Sequence, residues 1–245
     1  MLFFRRKKME EADLGWLHTD MHSHLIPGID DGAPDLVTSL SLIKGMMELG
    51  YKKIITTPHI LWELYPNTHD IIIRGYGEVQ KALESEGIQL DFHVAAEYFM
   101  DEHFMEELQK KIPLLTLKEN LVLVEFSMVT APMDLQDILF EMQMQNYQPI
   151  IAHPERYAYL ARKKEVFDDL KNAGAYFQLN ILSLTGHYGP VVQELAEYLL
   201  RKNYYDLAGT DLHHQRHLES FKKLHPSVIS KLRSSSLIRN AELLG

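Results

Sequence analysis

A short apolar run followed by a stretch of helical spacing recurs about every 30 residues along this chain, the alternation that βαβ units of a parallel sheet require. Runs at 17–21, 53–57, 90–95, 121–126, 149–152, 175–179 and 206–209 read as strands. Segments 35–49, 70–86, 133–146, 163–173 and 190–201 read as helices. Gly50, Gly87 and Gly174 stand where three of those helices must stop, and Pro190 opens the last one at a first-turn position. No segment rich in Gly, Ser or Pro interrupts the series, so a single domain is expected over 15–245, behind a flexible tail at 1–14. Two architectures compete: an open doubly wound sheet and a closed barrel related to the (β/α)8 type. No glycine-rich phosphate loop follows any strand, which disfavours the first. Polar residues cluster just after the strands, where barrels carry their active sites, which favours the second.

The residues just past each strand carry the chemistry. The first strand gives Asp20-Met21-His22-Ser23-His24 and then Asp30-Asp31-Gly32, and the second gives Thr57-Pro58-His59. The third gives Glu97, the fourth Glu125-Phe126-Ser127, the fifth His153-Pro154-Glu155-Arg156 and the seventh Asp211-Leu212-His213, while the sixth ends on Asn180. Singly, such short signals misfire often. Here six of the seven runs deliver a His, Asp or Glu to one rim. In His22-Ser23-His24 the strand period of two puts both imidazoles on one face. Imidazoles and carboxylates gathered without ions are costly to desolvate, and divalent metal is the simplest way to stabilise them. Nine residues qualify as ligands: His22, His24, Asp31, His59, Glu97, Glu125, His153, Asp211 and His213. They offer nitrogen and oxygen without sulfur, a set that suits Mn²⁺, Fe²⁺, Zn²⁺ or Mg²⁺. Nine are enough for three ions if a carboxylate is shared. Four carboxylates against three dications leave such a site at about +2, inside a chain of net charge −9. That suits a doubly charged anion such as a phosphate monoester. Arg156 and Arg216, each three residues after a candidate histidine, are the cations expected to clasp phosphate oxygens.

Composition closes other routes. The chain has no cysteine, which rules out disulfides, thiolate metal sites and the thiolate nucleophile of one large class of phosphatases. The acidic balance argues against nucleic acid as a partner. The opening Met-Leu-Phe-Phe-Arg-Arg-Lys-Lys has too short an apolar run for a secretory signal. No stretch reaches the roughly 20 apolar residues of a membrane span, so a cytoplasmic chain without stable membrane insertion is expected. Arg5, Arg6, Lys7 and Lys8 read as part of the solvated tail, with weak attraction to an anionic membrane surface as the lesser reading.

In combination and order, the segment from His22 to Gly32, Glu125-Phe126-Ser127 and His153-Pro154-Glu155-Arg156 resemble the polymerase and histidinol phosphatase (PHP) superfamily. Within it they resemble the bacterial tyrosine-protein phosphatase branch that accompanies capsule and exopolysaccharide synthesis. The resemblance covers residues 17–243 or so. It implies a distorted, TIM-like (β/α)7 barrel with a trinuclear centre, Mn²⁺ being the expected metal and Fe, Zn or Mg the alternatives. Carried over residue by residue, it puts His22, His24, Glu97 and Asp211 on a first ion. Glu97, Glu125 and His153 would hold a second, with Glu97 bridging, and Asp31, His59 and His213 a third. Arg156 matches the family's phosphate-binding arginine, and Arg216 is a looser match. The implied activity is hydrolysis of protein phosphotyrosine by metal-activated hydroxide, with the tail of a bacterial tyrosine kinase as substrate. Histidinol-phosphate hydrolysis, or another PHP phosphoesterase activity, is the alternative. The aromatic segment 61–66 after His59 is either a wall for a tyrosine ring or an ordinary packed loop.

Overall fold

Seven strands form on the seven apolar runs, and two more just beyond the second and third, in a computed structural model, which describes residues 12–235 and 237–245. They are β1 (Thr19–Asp20), β2 (Lys53–Thr56), β3 (His59–Ile60), β4 (Asp91–Val94), β5 (Glu97–Phe99), β6 (Leu121–Glu125), β7 (Gln148–Ala152), β8 (Tyr176–Asn180) and β9 (Leu207–Gly209). Every pairing between them is parallel, within two sheets of order β1-β2-β4 and β3-β5-β6-β7-β8-β9. The sheets are continuous with each other. β2 and β3 are one chain direction interrupted at Thr57-Pro58, and β4 and β5 one interrupted at Ala95-Ala96. Backbone bonds from Ala95 N–H to Thr56 O (2.9 Å) and from Glu97 N–H to Pro58 O (3.1 Å) carry the pairing across both breaks.

The remaining edges, β9 and β1, also meet. Asp211 N–H bonds His22 O at 2.7 Å and His24 N–H bonds Leu212 O at 2.9 Å. Nearer the start of these strands, side chains replace the ladder. The Asn240 amide donates to Thr19 O and Ala208 O and accepts from Ala208 N–H, while the Asp20 carboxylate accepts from the Thr210 N–H and hydroxyl. These contacts join the last edge to the first, so that seven strand positions form a ring among the described residues.

Period-two alternation then sorts the apolar side chains. Met21, Ile55, Leu123, Ile150 and Leu207 fill the barrel interior. Ile54, Val122, Ile151, Phe177 and Ala208 face outward into the larger core beneath the helices.

The helices are α1 (Leu36–Glu48), α2 (His69–Ser85), α3 (Glu102–Gln109), α4 (Leu135–Met144), α5 (Glu165–Asn172), α6 (Pro190–Arg201), α7 (Gln215–Lys222), α8 (Pro226–Ser234) and α9 (Asn240–Leu244). Asp35, Thr68 and Asp101 accept backbone N–H bonds as N-caps of the first three. Gly50, Gly87 and Gly174 follow α1, α2 and α5 at φ of 99°, 68° and 85°, the left-handed stop that their positions predict. None of α3, α7, α8 and α9 is expected from sequence; they run for only 8, 8, 9 and 5 residues, and α5, no longer than α3, is legible because Gly174 marks its end. The first strand starts late because Gly15–Leu17 forms a 3₁₀ turn. Ala12 and Leu14 are buried, and Leu14 N–H bonds Leu49 O at 2.8 Å. The basic cluster at 5–8 lies outside the described residues. No helix among the described residues is long and apolar enough to cross a membrane.

Candidate metal centre

All nine candidate ligands reach the C-terminal rim of the barrel. His22 and His24 follow β1, His59 and Glu97 open β3 and β5, Glu125 ends β6, and His153 follows β7. Asp211 and His213 follow β9, and Asp31 comes from the loop before α1. Their donor atoms fall into four overlapping groups, each within 4.8 Å: His24 with Asp31, His59 and His213; His22 with His24 and Asp211; His22 with Glu97 and His153; and His59 with Glu97 and Glu125. The three-way division that the resemblance implies is thus less discrete in space. His24 faces the Asp31 group as well as His22, and His59 faces Glu97 and Glu125 as well as Asp31.

Glu97 is the hub. Its Oε2 lies 3.1 Å from His22 Nε2, 3.4 Å from His24 Nε2 and 3.2 Å from His59 Nδ1, while Oε1 lies 3.1 Å from His153 Nε2. The side chain is fully buried, yet Oε2 makes no hydrogen bond of normal geometry, nor does His59 Nδ1. A buried carboxylate oxygen ringed by nitrogens it does not bond is a poor arrangement for protein atoms alone. It is a good one for an oxygen shared between cations, so these residues fit a metal cluster. The backbone is bent to reach it: His153 (φ 33°) and Asp211 (φ 53°) both adopt left-handed conformations, each typically worth about 1–3 kcal/mol of strain at functional sites.

The residues behind the donors fix which nitrogen faces inward. Gln178 Oε1 accepts from His153 N–H (3.1 Å), which identifies it as the amide oxygen, and therefore also accepts from His22 Nδ1–H at 3.0 Å. Asp30 accepts from His24 Nδ1–H at 2.8 Å, and Asp211 O accepts from His213 Nδ1–H at 2.9 Å. All three imidazoles are left with a bare Nε2 toward the cluster, the arrangement that orients metal-binding histidines. The loop carrying Asp30 and Asp31 lies directly on His24. A Cβ on Gly32 would stand 2.2 Å from His24 O, so only glycine allows that approach.

Sequence reasoning assigned no role to Asp30 or Gln178. The signal for Gln178 was present: in Tyr176-Phe177-Gln178-Leu179-Asn180 the two amides share one face of an otherwise apolar strand. Asp30 and Asp31 are neighbours of the same type, but the loop turns Asp30 onto His24 Nδ1 and sets Asp31 Oδ1 3.5 Å from His59 Nε2 and 3.4 Å from His213 Nε2.

Opposite charges in the cluster shift one another. Burial alone would push the His22 imidazole down, but the Glu97 and Asp211 carboxylates outweigh it and raise its pKa to about 9. His24 is likewise raised, against burial, with Asp30 the leading charge. Burial would raise Glu97 and Asp211, yet His22 above all holds both well below the ordinary carboxylate range. Imidazoles this eager for protons report a negative potential at the rim, which divalent cations would neutralise.

Above the cluster opens a cavity of about 440 Å³. Arg156 enters it from the 3₁₀ turn Pro154–Arg156, with Nη1 2.7 Å from Asp211 Oδ2 and its guanidinium 4.7 Å from the centre of the Tyr188 ring. Asn180 Nδ2 donates to the same Asp211 oxygen at 2.9 Å. Leu61, Leu64, Tyr65, Phe126 and Met128 form an apolar rim. Arg216 does not join them. His214 caps α7, so Arg216 is its second residue and points to solvent, whereas His217 one position later lines the cavity. The 61–66 segment is divided too: Leu61, Leu64 and Tyr65 wall the cavity, while Trp62 turns away to stack on His103.

Parallel barrels that gather imidazoles and carboxylates at the C-terminal rim are frameworks of metal-dependent hydrolysis. The chain belongs to the CpsB/CapC family of capsular polysaccharide synthesis, whose family model it matches over residues 18–231. It is similar to the tyrosine-protein phosphatase CpsB of Streptococcus agalactiae, 31% identical over 200 residues that make up 79% of this chain and 82% of that one. It is also similar to the tyrosine-protein phosphatase YwqE of Bacillus subtilis, 28% identical over 232 residues, 92% of this chain and 90% of that one. Its fold matches one of the crystal structures of YwqE from Bacillus subtilis and CpsB from Streptococcus pneumoniae, described as unique metal-dependent tyrosine phosphatases. The TM-score is 0.82, with 26% identity, over 92% of this chain and 94% of that one.

Proposed function

We propose that this chain hydrolyses phosphotyrosine in proteins, using three divalent ions, Mn²⁺ being the expected metal, held by His22, His24, Asp31, His59, Glu97, Glu125, His153, Asp211 and His213. The observation that carries the reading is one cavity that joins the Glu97-centred donors to an arginine and an apolar rim. Divalent ions bound there would supply a water acidified toward neutral pH and positive charge to balance the phosphoryl oxygens.

The chain's own residues do the rest. Gln178, Asp30 and the Asp211 carbonyl keep three imidazoles as Nε2 donors. Arg156, flanked by Tyr188, offers a planar fork to equatorial phosphate oxygens. When it turns from Asp211 to phosphate, Asn180 still bonds the Asp211 oxygen it leaves. The substrate ring lies along Leu61, Leu64 and Tyr65. A phenolate leaves more readily than an alkoxide, so the reaction is less dependent on a general acid.

Leu64 is 69% exposed and Met128 38% exposed. A mouth this open suits a tyrosine on a polypeptide better than a small metabolite needing enclosure. The family's place in capsule synthesis favours the tail of a bacterial tyrosine kinase in the cytoplasm as the substrate. The test compares kcat/KM on a phosphotyrosyl peptide, a phosphoseryl peptide and histidinol phosphate under one set of metal conditions. The phosphotyrosyl peptide is expected to win clearly, and a preference for histidinol phosphate transfers the case to that activity.

A further inference from the structure

A second, larger groove of about 1020 Å³ adjoins the metal cavity, and Leu61 and Phe99 line both. The turn at 61–65 stands between them, pinned by Leu61 N–H to Tyr65 O (3.2 Å) and Tyr65 N–H to Leu61 O (2.7 Å). On the groove side Trp62 is 44% exposed and lies flat on His103, with ring centres 3.9 Å apart, and Met133 is fully exposed. Five of the fifteen lining residues are acidic and none is Lys or Arg. Two of the five have other tasks: Asp101 caps α3 and Glu106 pairs with Lys110. Glu63, Glu102 and Asp134 have no ion-pair partner among the described residues.

We infer that this groove holds the substrate polypeptide on one side of its phosphotyrosine and selects a lysine or arginine there. The inference rests on the reading that the substrate is a phosphotyrosyl polypeptide. Apolar surface at Trp62 and Met133 accepts the aliphatic stem of a long basic side chain, and the unpaired carboxylates accept its charge. Continuity through Leu61 and Phe99 means that a chain with its phosphotyrosine in the metal cavity must run into the groove if it leaves on that side. A small aryl phosphate ends before the 61–65 turn and never meets Glu63 or Glu102.

The experiment uses the metal-loaded enzyme and three substrates: a phosphotyrosyl peptide flanked by lysines, the same peptide flanked by glutamates, and a small aryl phosphate. The variants are the double substitutions Glu63→Gln with Glu102→Gln and Glu63→Lys with Glu102→Lys. The neutral pair is expected to raise KM for the lysine peptide roughly three- to tenfold, the equivalent of about 0.7–1.4 kcal/mol for two exposed ion pairs. Hydrolysis of the aryl phosphate should not change. The lysine pair should reverse the preference in favour of the glutamate peptide. An unchanged KM for the lysine peptide overturns the inference, and so does an equal loss on the aryl phosphate. Fluorescence anisotropy of the same peptides, unphosphorylated and at low salt, separates the two readings. Charge-dependent binding without turnover of phosphotyrosine keeps the groove and removes the phosphatase reading. Turnover with charge-blind binding does the reverse.

Discussion

Replacing Gln178 by leucine should weaken metal binding more than its distance from the donor atoms suggests. Its Oε1 accepts two bonds, from His22 Nδ1–H at 3.0 Å and from His153 N–H at 3.1 Å, and all three residues are buried. Leucine fills similar space and accepts nothing. Two buried donors are left unpaired, at about 1–3 kcal/mol each, so the metal-free fold should lose roughly 2–6 kcal/mol. The metal effect is separate. Without Gln178 the His22 ring is free to turn or to move its proton to Nε2, the nitrogen 3.1 Å from Glu97 Oε2. Loss of such a bracing partner commonly lowers metal affinity 10- to 100-fold, about 1.4–2.7 kcal/mol. Urea unfolding of metal-free protein measures the first quantity, and activation of aryl phosphatase activity by titrated Mn²⁺ measures the second. If stability falls as stated while the Mn²⁺ titration is unmoved, the argument that Gln178 governs His22 is refuted.

Two further outcomes are expected. Chelation should abolish phosphatase activity and lower the melting temperature, a divalent ion should restore both, and alkylating reagents should do nothing because there is no cysteine; full activity of metal-stripped protein would contradict the proposed centre. Arg156→Ala should retain bound metal, measured by elemental analysis, yet lose on the order of 10²–10³ in kcat, roughly 2.7–4 kcal/mol of transition-state stabilisation; an unchanged rate would leave Arg156 as a partner of Asp211 alone.

Much of this protein is local and therefore legible in the chain. Strand positions follow from apolar runs, and α6 begins and ends where Pro190 and Arg201 place it. Eight of the nine candidate ligands follow from one rule, that residues at the ends of parallel strands share a rim, and Asp31 comes from the loop before α1. The features that the chain alone does not reveal depend on closure. Gln178 meets His22 across 156 residues, and Asn240 stitches Thr19 to the barrel across 221. Such contacts depend on strand register and on how the last edge finds the first. Arg216 shows the same limit from the other side. Its spacing from His213 matches that of Arg156 from His153, but one residue sits in a helix that turns it to solvent and the other in a 3₁₀ turn that aims it inward. By itself the sequence determined the order of the seven main strands and of five helices, with the candidate donors at the strand ends, because both are encoded in windows of a few residues. Only the tertiary structure decided which nitrogen each imidazole presents, that Asp30 braces His24 beside the candidate donor Asp31, and where the groove beside the site runs. Those features depend on the relative placement of segments far apart in the chain, which no local pattern contains.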